Sequence, residues 1–597
     1  MPTVKSLKPY RSFVLGHIKN GVATTNLLNA ILDEVKETLK LDGVKRTIIT
    51  TSKAKQDQEL ETAFICFSER SVSPWTIDSS VVDVLNHLVV ICRYNRVCSI
   101  CFSDSSFRLP IVKRFDTDEN TGLGALRPIE QGIVNAAFVQ GGTLTLWLSG
   151  THRRTPVKAD SKVLSGVNLR DALNPLEDQS YYFTAARSKA NVEGKEVPIG
   201  ASPRRSRVWM GPTRTWSEFR DSVLSLLKHL EGTKKPVAAP LPVVAITSID
   251  AGKIRNAFDI GLAPMELTSD DVTIDAARRQ DIEKWSYESD FEITSTTGIN
   301  LAANIRLKGQ LLGNLEFTFN TTNPDRVSWE VTGEPDSEEV RELHTTAIDL
   351  CSDPSWLKVW YESGHTISDG EVFEIRHRDM PFRNFKWANL GNFDVTREKP
   401  EPLDQIGTQD SLFCWTQLHW PNLDRGRTHP RGWLASDDGA MEIADFIHLA
   451  VEGERPILSL IHVKGAGSAA PNRGLSVSKY EIVTGQAVKN LRSLDRLILE
   501  DGMRGGMRKK VGALVWHNGR RSNRDRMLDA LSQIGTDYDS QVVILQPHLT
   551  RTRYNEARQH PKSRDAARLR QLDTLLLSAD ASVRGVAGAS LVAVGQL

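Results

Sequence analysis

"ADFIHLAVEGERPILSLIHVKG", Ala444 to Gly465, decides how the last third of this chain is read. Two apolar runs flank the short turn "EGERP", and the stretch is predicted as two strands of a hairpin. Asp445 sits in the first strand. Lys464 ends the second, and His462 stands two residues before it. Side chains alternate along a strand, so His462 and Lys464 share a face. The turn folds the second strand back on the first and can bring Asp445 to the same region. A carboxylate, an imidazole and an ammonium then cluster at one end of a short hairpin. Burying such groups without a partner costs several kcal/mol, so they lie at an edge or serve a ligand.

The surrounding sequence, from about Gln405 onward, alternates in type. Strands are predicted at "GWLASDD", "EIADFIHLAV", "ILSLIHVK", "GALVWHN", "QVVILQP" and "SLVAVG". Helices are predicted at "SKYEIVTGQAVKNLRSLDRLILED", "RDRMLDALSQIG" and "RTRYNEARQHPKSRDAARLRQLDTLLLSA". Strands followed by helices on alternating faces predict an α/β sandwich around a mixed sheet. The helix after the hairpin is expected to open on a capping box of Ser478 and Glu481. Val483, Ala487, Leu491, Leu494 and Ile498 form its apolar stripe, with Gln486 and Lys489 beside it, one turn apart.

Asp445, a gap, then "HVK", followed by a helix carrying Gln486 and Lys489, resembles the core of the PD-(D/E)XK, or restriction-endonuclease-like, nuclease superfamily. The pattern reads "AD…HVK" in place of "PD…ExK", and the resemblance covers the last third of the chain. It implies a divalent-metal-dependent nuclease that uses Mg²⁺ or Mn²⁺ and hydrolyses phosphodiester bonds of DNA or RNA. It also implies that the aspartate and a following acid bind the metal, that the lysine helps activate the attacking water, and that the helix pair touches substrate phosphate. Catalytic candidates are therefore Asp445, His462, Lys464, Gln486, Lys489 and Glu442. Metal candidates are Asp445, His462, Glu442 and Asp438. The wording of the helices and strands also resembles nuclease-like regions of bacterial conflict systems, which implies anti-phage defence and a separate helicase or other subunit as partner. The rival expectation is a nucleic-acid-binding scaffold with a degenerate nuclease fold.

Three roles are open to His462. Mg²⁺ prefers oxygen ligands, and imidazole suits Mn²⁺ or other transition metals better. His462 either ligates the metal directly, or acts as a base or contacts phosphate while another acid completes the site, or marks a dead site. Asp437, Asp438 and Glu442 stand close upstream and could donate that acid; on an unbroken strand only Asp437 shares a face with Asp445, and a bulge or turn at "SDDGAM" keeps Glu442 and Asp438 open.

The charge distribution fits a polyanion partner. The chain carries a net charge of only +1, yet from Asp501 to Arg570 there are 15 Lys and Arg against 7 Asp and Glu. Arg508, Lys509, Lys510, Arg520, Arg521 and Arg524 flank the strand "VGALVWHNG" and are the candidate nucleic-acid contacts, of the kind that position a strand without reading its sequence. "GAGSAAPNRG" after Lys464 has room to approach a phosphate, although a joining loop explains it as well. No G-x-x-x-x-G-K-[ST] occurs, so no ATPase motor is expected in this polypeptide.

The remainder is read more coarsely. With 597 residues the chain is long enough for about three or four domains, and the fold class expected is multidomain α+β. Residues 1–235 are expected as an N-terminal α+β domain, 243–395 as a second mixed β-rich domain and 405–597 as the α/β nuclease-like domain, with linkers at "EGTKKPVAAPLP" and "TREKPEPLD". A capping box of Thr215 and Glu218 starts a helix lined by Phe219, Val223, Leu226 and Leu230. His152, Arg153, Arg154 and "SPRRSR" form a second basic zone, read first as solvated loops. Cys98 and Cys101 have C-x-x-C spacing without a second pair, and read as buried strand cysteines. No apolar run approaches the roughly 18 residues of a membrane span, and the N-terminus lacks a signal-peptide stretch. A cytoplasmic protein is expected, with no membrane partner.

Overall fold

In the computed structural model of the chain, the Val-, Ile-, Phe- and Cys-rich runs of residues 10–212 pair into one antiparallel sheet of 11 strands. The structure describes residues 3–597 apart from 41–44, 74, 105–106, 118, 249, 264–275, 323–325, 376, 426–430, 438–442 and 505–513. The fold is mixed α/β with several sheets. The backbone divides into two units, Met1–Leu173 with Glu177–His377, and Arg378–Leu597 with Asn174–Leu176.

In the first unit, alternation along the strands gives the large sheet two apolar faces. One face takes the helix Leu27–Thr38 through Leu28, Ile31 and Val35. The other takes the helix Trp216–Gly232 through Phe219, Val223, Leu226 and Leu230. That helix is capped as expected at Thr215, whose hydroxyl accepts from the Glu218 amide at 3.2 Å. Glu218 reaches back one residue further, to the Arg214 amide at 2.9 Å. Cys98 and Cys101 belong to cores on opposite faces of the sheet, so the pair cannot share a ligand. Burial pushes both thiols up to about 12.

Residues 257–374 add two four-stranded sheets that share a core with the helix Arg341–Ser352. The boundary expected at 235–243 lies inside this first unit, because polar groups tie the parts together. Buried Lys358 donates to Ser149 Oγ and the Gly150 carbonyl, both at 2.9 Å. The Tyr182 hydroxyl meets Ser368 Oγ at 2.8 Å. The second basic zone serves the same joint: Arg204 pairs with Glu371, Arg153 with Asp259, and Arg205 with Asp369 at 3.7 Å. Arg204–Glu371 is a buried structural pair, whereas Arg153 keeps a 63% exposed side chain, as expected of a solvated loop.

The second unit is built on one eight-stranded sheet: β1 (Phe385–Ala388), β2 (Trp433–Ser436), β3 (Phe446–Ala450), β4 (Ile457–Val463), β5 (Val515–His517), β6 (Arg520–Ser522), β7 (Asp539–Thr550) and β8 (Ser590–Gln596). Their order is β1-β8-β7-β4-β3-β2-β5-β6. The first four in that order run parallel and the rest antiparallel. The helices are α1 (Leu412–Arg425), α2 (Ser478–Lys489), α3 (Arg496–Arg504), α4 (Arg524–Gln533), α5 (Arg551–Gln559) and α6 (Arg564–Ala587). Ile461 and Val463 of β4 pack with Phe413, Trp415 and Trp420 of α1. Leu458 and Leu460 pack on the other face with Val483 of α2 and Leu572 of α6. The sheet is thus a sandwich between two helical layers. The unit begins earlier than residue 405, because β1 extends the sheet beside the C-terminal strand β8. Among the described residues no helix is long and apolar enough to cross a membrane.

Candidate active site

The quoted stretch forms the hairpin β3–β4, registered with Phe446 opposite Ile461. One position outward stand Asp445 and His462. On the other side β2 pairs Ser436 with Phe446, and the Asp437 amide donates to the Asp445 carbonyl at 3.0 Å. Asp437, Asp445 and His462 therefore form a row across three strands. By alternation the row faces the α2 side, since Ala435, Ile447 and Leu460 lie in that core.

The two carboxylates are buried and engaged with backbone. Asp445, 5% exposed, accepts from the Val463 amide at 2.7 Å through Oδ2. Asp437, fully buried, accepts from the Ile443 amide at 2.7 Å. Each satisfies a strand-end donor that would otherwise be orphaned. The expected candidates Asp438 and Glu442 lie outside the described residues.

His462 is 3% exposed and, among the described residues, its Nε2 has no hydrogen-bond partner. Burial pushes the imidazole down to about 4, so the ring is neutral at physiological pH. His448, on β3, shows the ordinary fate of a core histidine: Trp420 Nε1 donates to its Nδ1 at 3.2 Å and its Nε2 meets the Arg431 carbonyl at 3.0 Å. An unpaired buried ring nitrogen costs about 1–3 kcal/mol, a cost that points to an additional partner.

Lys464 lies just past β4, where its amide still donates to Leu545 of β7 at 3.0 Å. Its ammonium pairs with Glu398 at 2.7 Å. Residues 396–398, expected as linker, and Val395 before them are instead packed against this strand end. Ala466 donates its amide to the Val395 carbonyl at 2.7 Å, and Phe413 of α1 donates to the Glu398 carbonyl at 3.0 Å. Glu398 was not among the acids expected near Lys464. Prolines and charge hide any period there, and only the fold brings it to Lys464.

Helix α2 is shorter than expected. It ends at Lys489; Leu491 and Leu494 follow in a 3-10 turn within the same core, and Ile498 is 49% exposed on α3. The cap is also different, since Val477 precedes the first turn without a side-chain bond and Ser478 is already helical. Gln486 is half-buried with Oε1 unpartnered, while Lys489 is exposed in the last turn. The loop from Gly465 to Gly474 is pinned rather than free-hanging. Buried Arg473 donates to the His548 carbonyl at 3.2 Å and also binds the Pro547 carbonyl and Gln596.

The basic run divides in two. Arg504, Arg553 and Arg558 are spent on Glu500, Glu556 and Asp573 respectively. Arg520 and Arg521 are exposed on the edge strand β6, Arg521 over the Trp516 ring at 5.0 Å, and Arg524 is half-buried at the start of α4. Arg508, Lys509 and Lys510 lie outside the described residues.

The chemistry of the donors bears on whether a divalent ion fits here. Asp445 offers oxygen and His462 a neutral nitrogen without a partner, a pair that favours Mn²⁺ over Mg²⁺. Among the described residues, however, no three His, Cys, Asp or Glu side chains are gathered to hold a metal. Asp437 and Asp445 are instead turned toward backbone amides. The donor set is therefore a partial fit. Comparison with family models, curated proteins and solved structures finds no match for this chain.

Proposed function

We propose that the second unit is a metal-dependent nuclease that hydrolyses phosphodiester bonds of nucleic acid, DNA first, in the manner of restriction-endonuclease-like enzymes. The observation that carries this reading is the unpartnered, buried Nε2 of neutral His462 beside Asp445, two residues before Lys464. Asp445 and His462 would be two of the ion's ligands. A divalent ion, when bound, supplies an acidified water and neutralises charge developing on the phosphate. Lys464 binds and orients a phosphate oxygen, and Gln486, on the helix facing the same row, steadies a neighbouring one. A role in bacterial anti-phage defence, working with a separate helicase or ATPase subunit, belongs to the same proposal.

The test is cleavage of plasmid and labelled oligonucleotides by the full chain with Mn²⁺ or Mg²⁺, beside Lys464→Ala. Loss of the ammonium is expected to slow cleavage by on the order of 10²-fold. Equal rates in the two proteins would remove Lys464 from the site.

A second reading has its own observation. Both aspartates accept backbone amides, and no three-ligand group forms among the described residues. That arrangement favours a nucleic-acid-binding scaffold that keeps the hairpin and lacks the metal. Binding without cleavage under every metal condition distinguishes it. Either reading uses the exposed edge. Replacing Arg520 and Arg521 together by Ala is expected to lower the slope of log Kd against log salt by about 2, roughly 1 for each phosphate that is no longer neutralised. Fluorescence anisotropy across a salt series measures it, and an unchanged slope excludes β6 from the binding surface.

A further inference from the structure

The ammonium of Lys464 already holds an anion. Glu398 meets it at 2.7 Å, and the pair is accessible, with the side chains 33% and 23% exposed. The carboxylate reaches that point because its backbone is fixed on both sides. Val395 is bonded to Ala466, and Glu398 itself to Phe413 at the start of α1. The fit is close: a Cβ on Gly465 would stand 2.8 Å from the Thr396 carbonyl, so only glycine admits the strap. Deeper in the same end of the sheet lie Asp445 and His462, 5% and 3% exposed. The ion pair is thus accessible to a ligand, while His462, two residues before Lys464, and Asp445 are buried.

We infer that Glu398 is an internal placeholder for a nucleic-acid phosphate, and that a phosphodiester binds Lys464 by exchanging with this carboxylate. The inference rests on the nuclease reading for the identity of the ligand. Its physics is simple. A carboxylate and a phosphodiester each offer anionic oxygens to the same ammonium. A half-exposed ion pair is weak, so the exchange is nearly balanced and a bound strand can win it. Removing the carboxylate charge removes the competitor.

The test is anisotropy titration of fluorescein-labelled single-stranded and duplex oligonucleotides against the full chain in EDTA. The variants are Glu398→Gln, Lys464→Ala, their double mutant, and Glu401→Gln, which removes a nearby exposed charge not paired to Lys464. Glu398→Gln is expected to bind about threefold tighter, the scale of one exposed ion pair, and the gain is expected to vanish in the Lys464→Ala background. Equal gains for Glu398→Gln and Glu401→Gln, or a gain that survives without Lys464, overturns the inference. So does failure of every variant to bind. Cleavage of the same probes in Mn²⁺ scores the nuclease reading separately. Coupled binding without cleavage keeps the placeholder and sinks the nuclease, and cleavage without coupling does the reverse.

Discussion

Asp445→Asn is expected to fold normally and to lose cleavage by on the order of 10²–10³-fold, the scale on which one preorganised electrostatic group acts in an active site. The choice of Asn matters. Asp445 does two things at once: it accepts the Val463 amide at 2.7 Å and it brings a negative charge beside His462. Asn keeps an oxygen for the Val463 amide, removes the charge and turns the other oxygen into an NH2 group. Ala removes both, leaving a buried strand-end donor unsatisfied at about 1–3 kcal/mol. The thermal midpoint of the Asn variant should therefore match wild type while single-turnover cleavage fails. Equal cleavage by the two proteins would show that Asp445 is a backbone cap and nothing more.

His462 carries the second large effect, on stability against pH. Burial holds the folded imidazole at about 4 against an ordinary 6.5. Above pH 6.5 both folded and unfolded states are neutral there, and no penalty exists. As pH falls through 6.5 the unfolded chain takes a proton that the folded site refuses, so stability drops, and the loss is complete only below pH 4. The expected loss is about 2 kcal/mol at pH 5 and about 3 kcal/mol at pH 4. His462→Gln removes this contribution. The difference between wild type and variant in melting temperature should therefore move against wild type by about 4–8 °C between pH 7 and pH 5. At neutral pH, Mn²⁺ should raise the wild-type midpoint more than Mg²⁺ does, and that preference should disappear in the variant. Parallel pH curves for the two proteins would mean that His462 protonates freely in the folded state.

The hairpin was legible because a strand period is local: the apolar runs at Phe446–Ala450 and Ile457–Val463 carry it in their own side chains. The sandwich was legible for the same reason, since strands and helices alternate. What the sequence hid depends on distant partners. Phe385–Ala388 reads as the tail of a middle domain, and pairing with Ser590–Gln596 moves it into the last sheet. Glu398 sits among prolines and charges and gains meaning only beside Lys464. Arg204 and Arg153 look like a basic surface until Glu371 and Asp259 close on them. The long helix drawn through Ser478 to Asp501 breaks at Asn490, whose side chain donates to the Ile443 carbonyl at 3.0 Å. Local apolar period cannot register such a tertiary bond. Of the candidate residues, the hairpin register sets Asp445 beside His462, as the strand pattern implies, but the backbone amides that occupy the aspartates are invisible in the sequence.

Cleavage by the wild-type chain tests the central claim most directly. Supercoiled plasmid and end-labelled oligonucleotides are incubated with the full protein in Mn²⁺, in Mg²⁺ and in EDTA. Hydrolysis that requires the metal, runs faster in Mn²⁺ and stops in EDTA is the predicted result. Intact substrate under all three conditions, from protein that is folded and binds the same oligonucleotides, would contradict it.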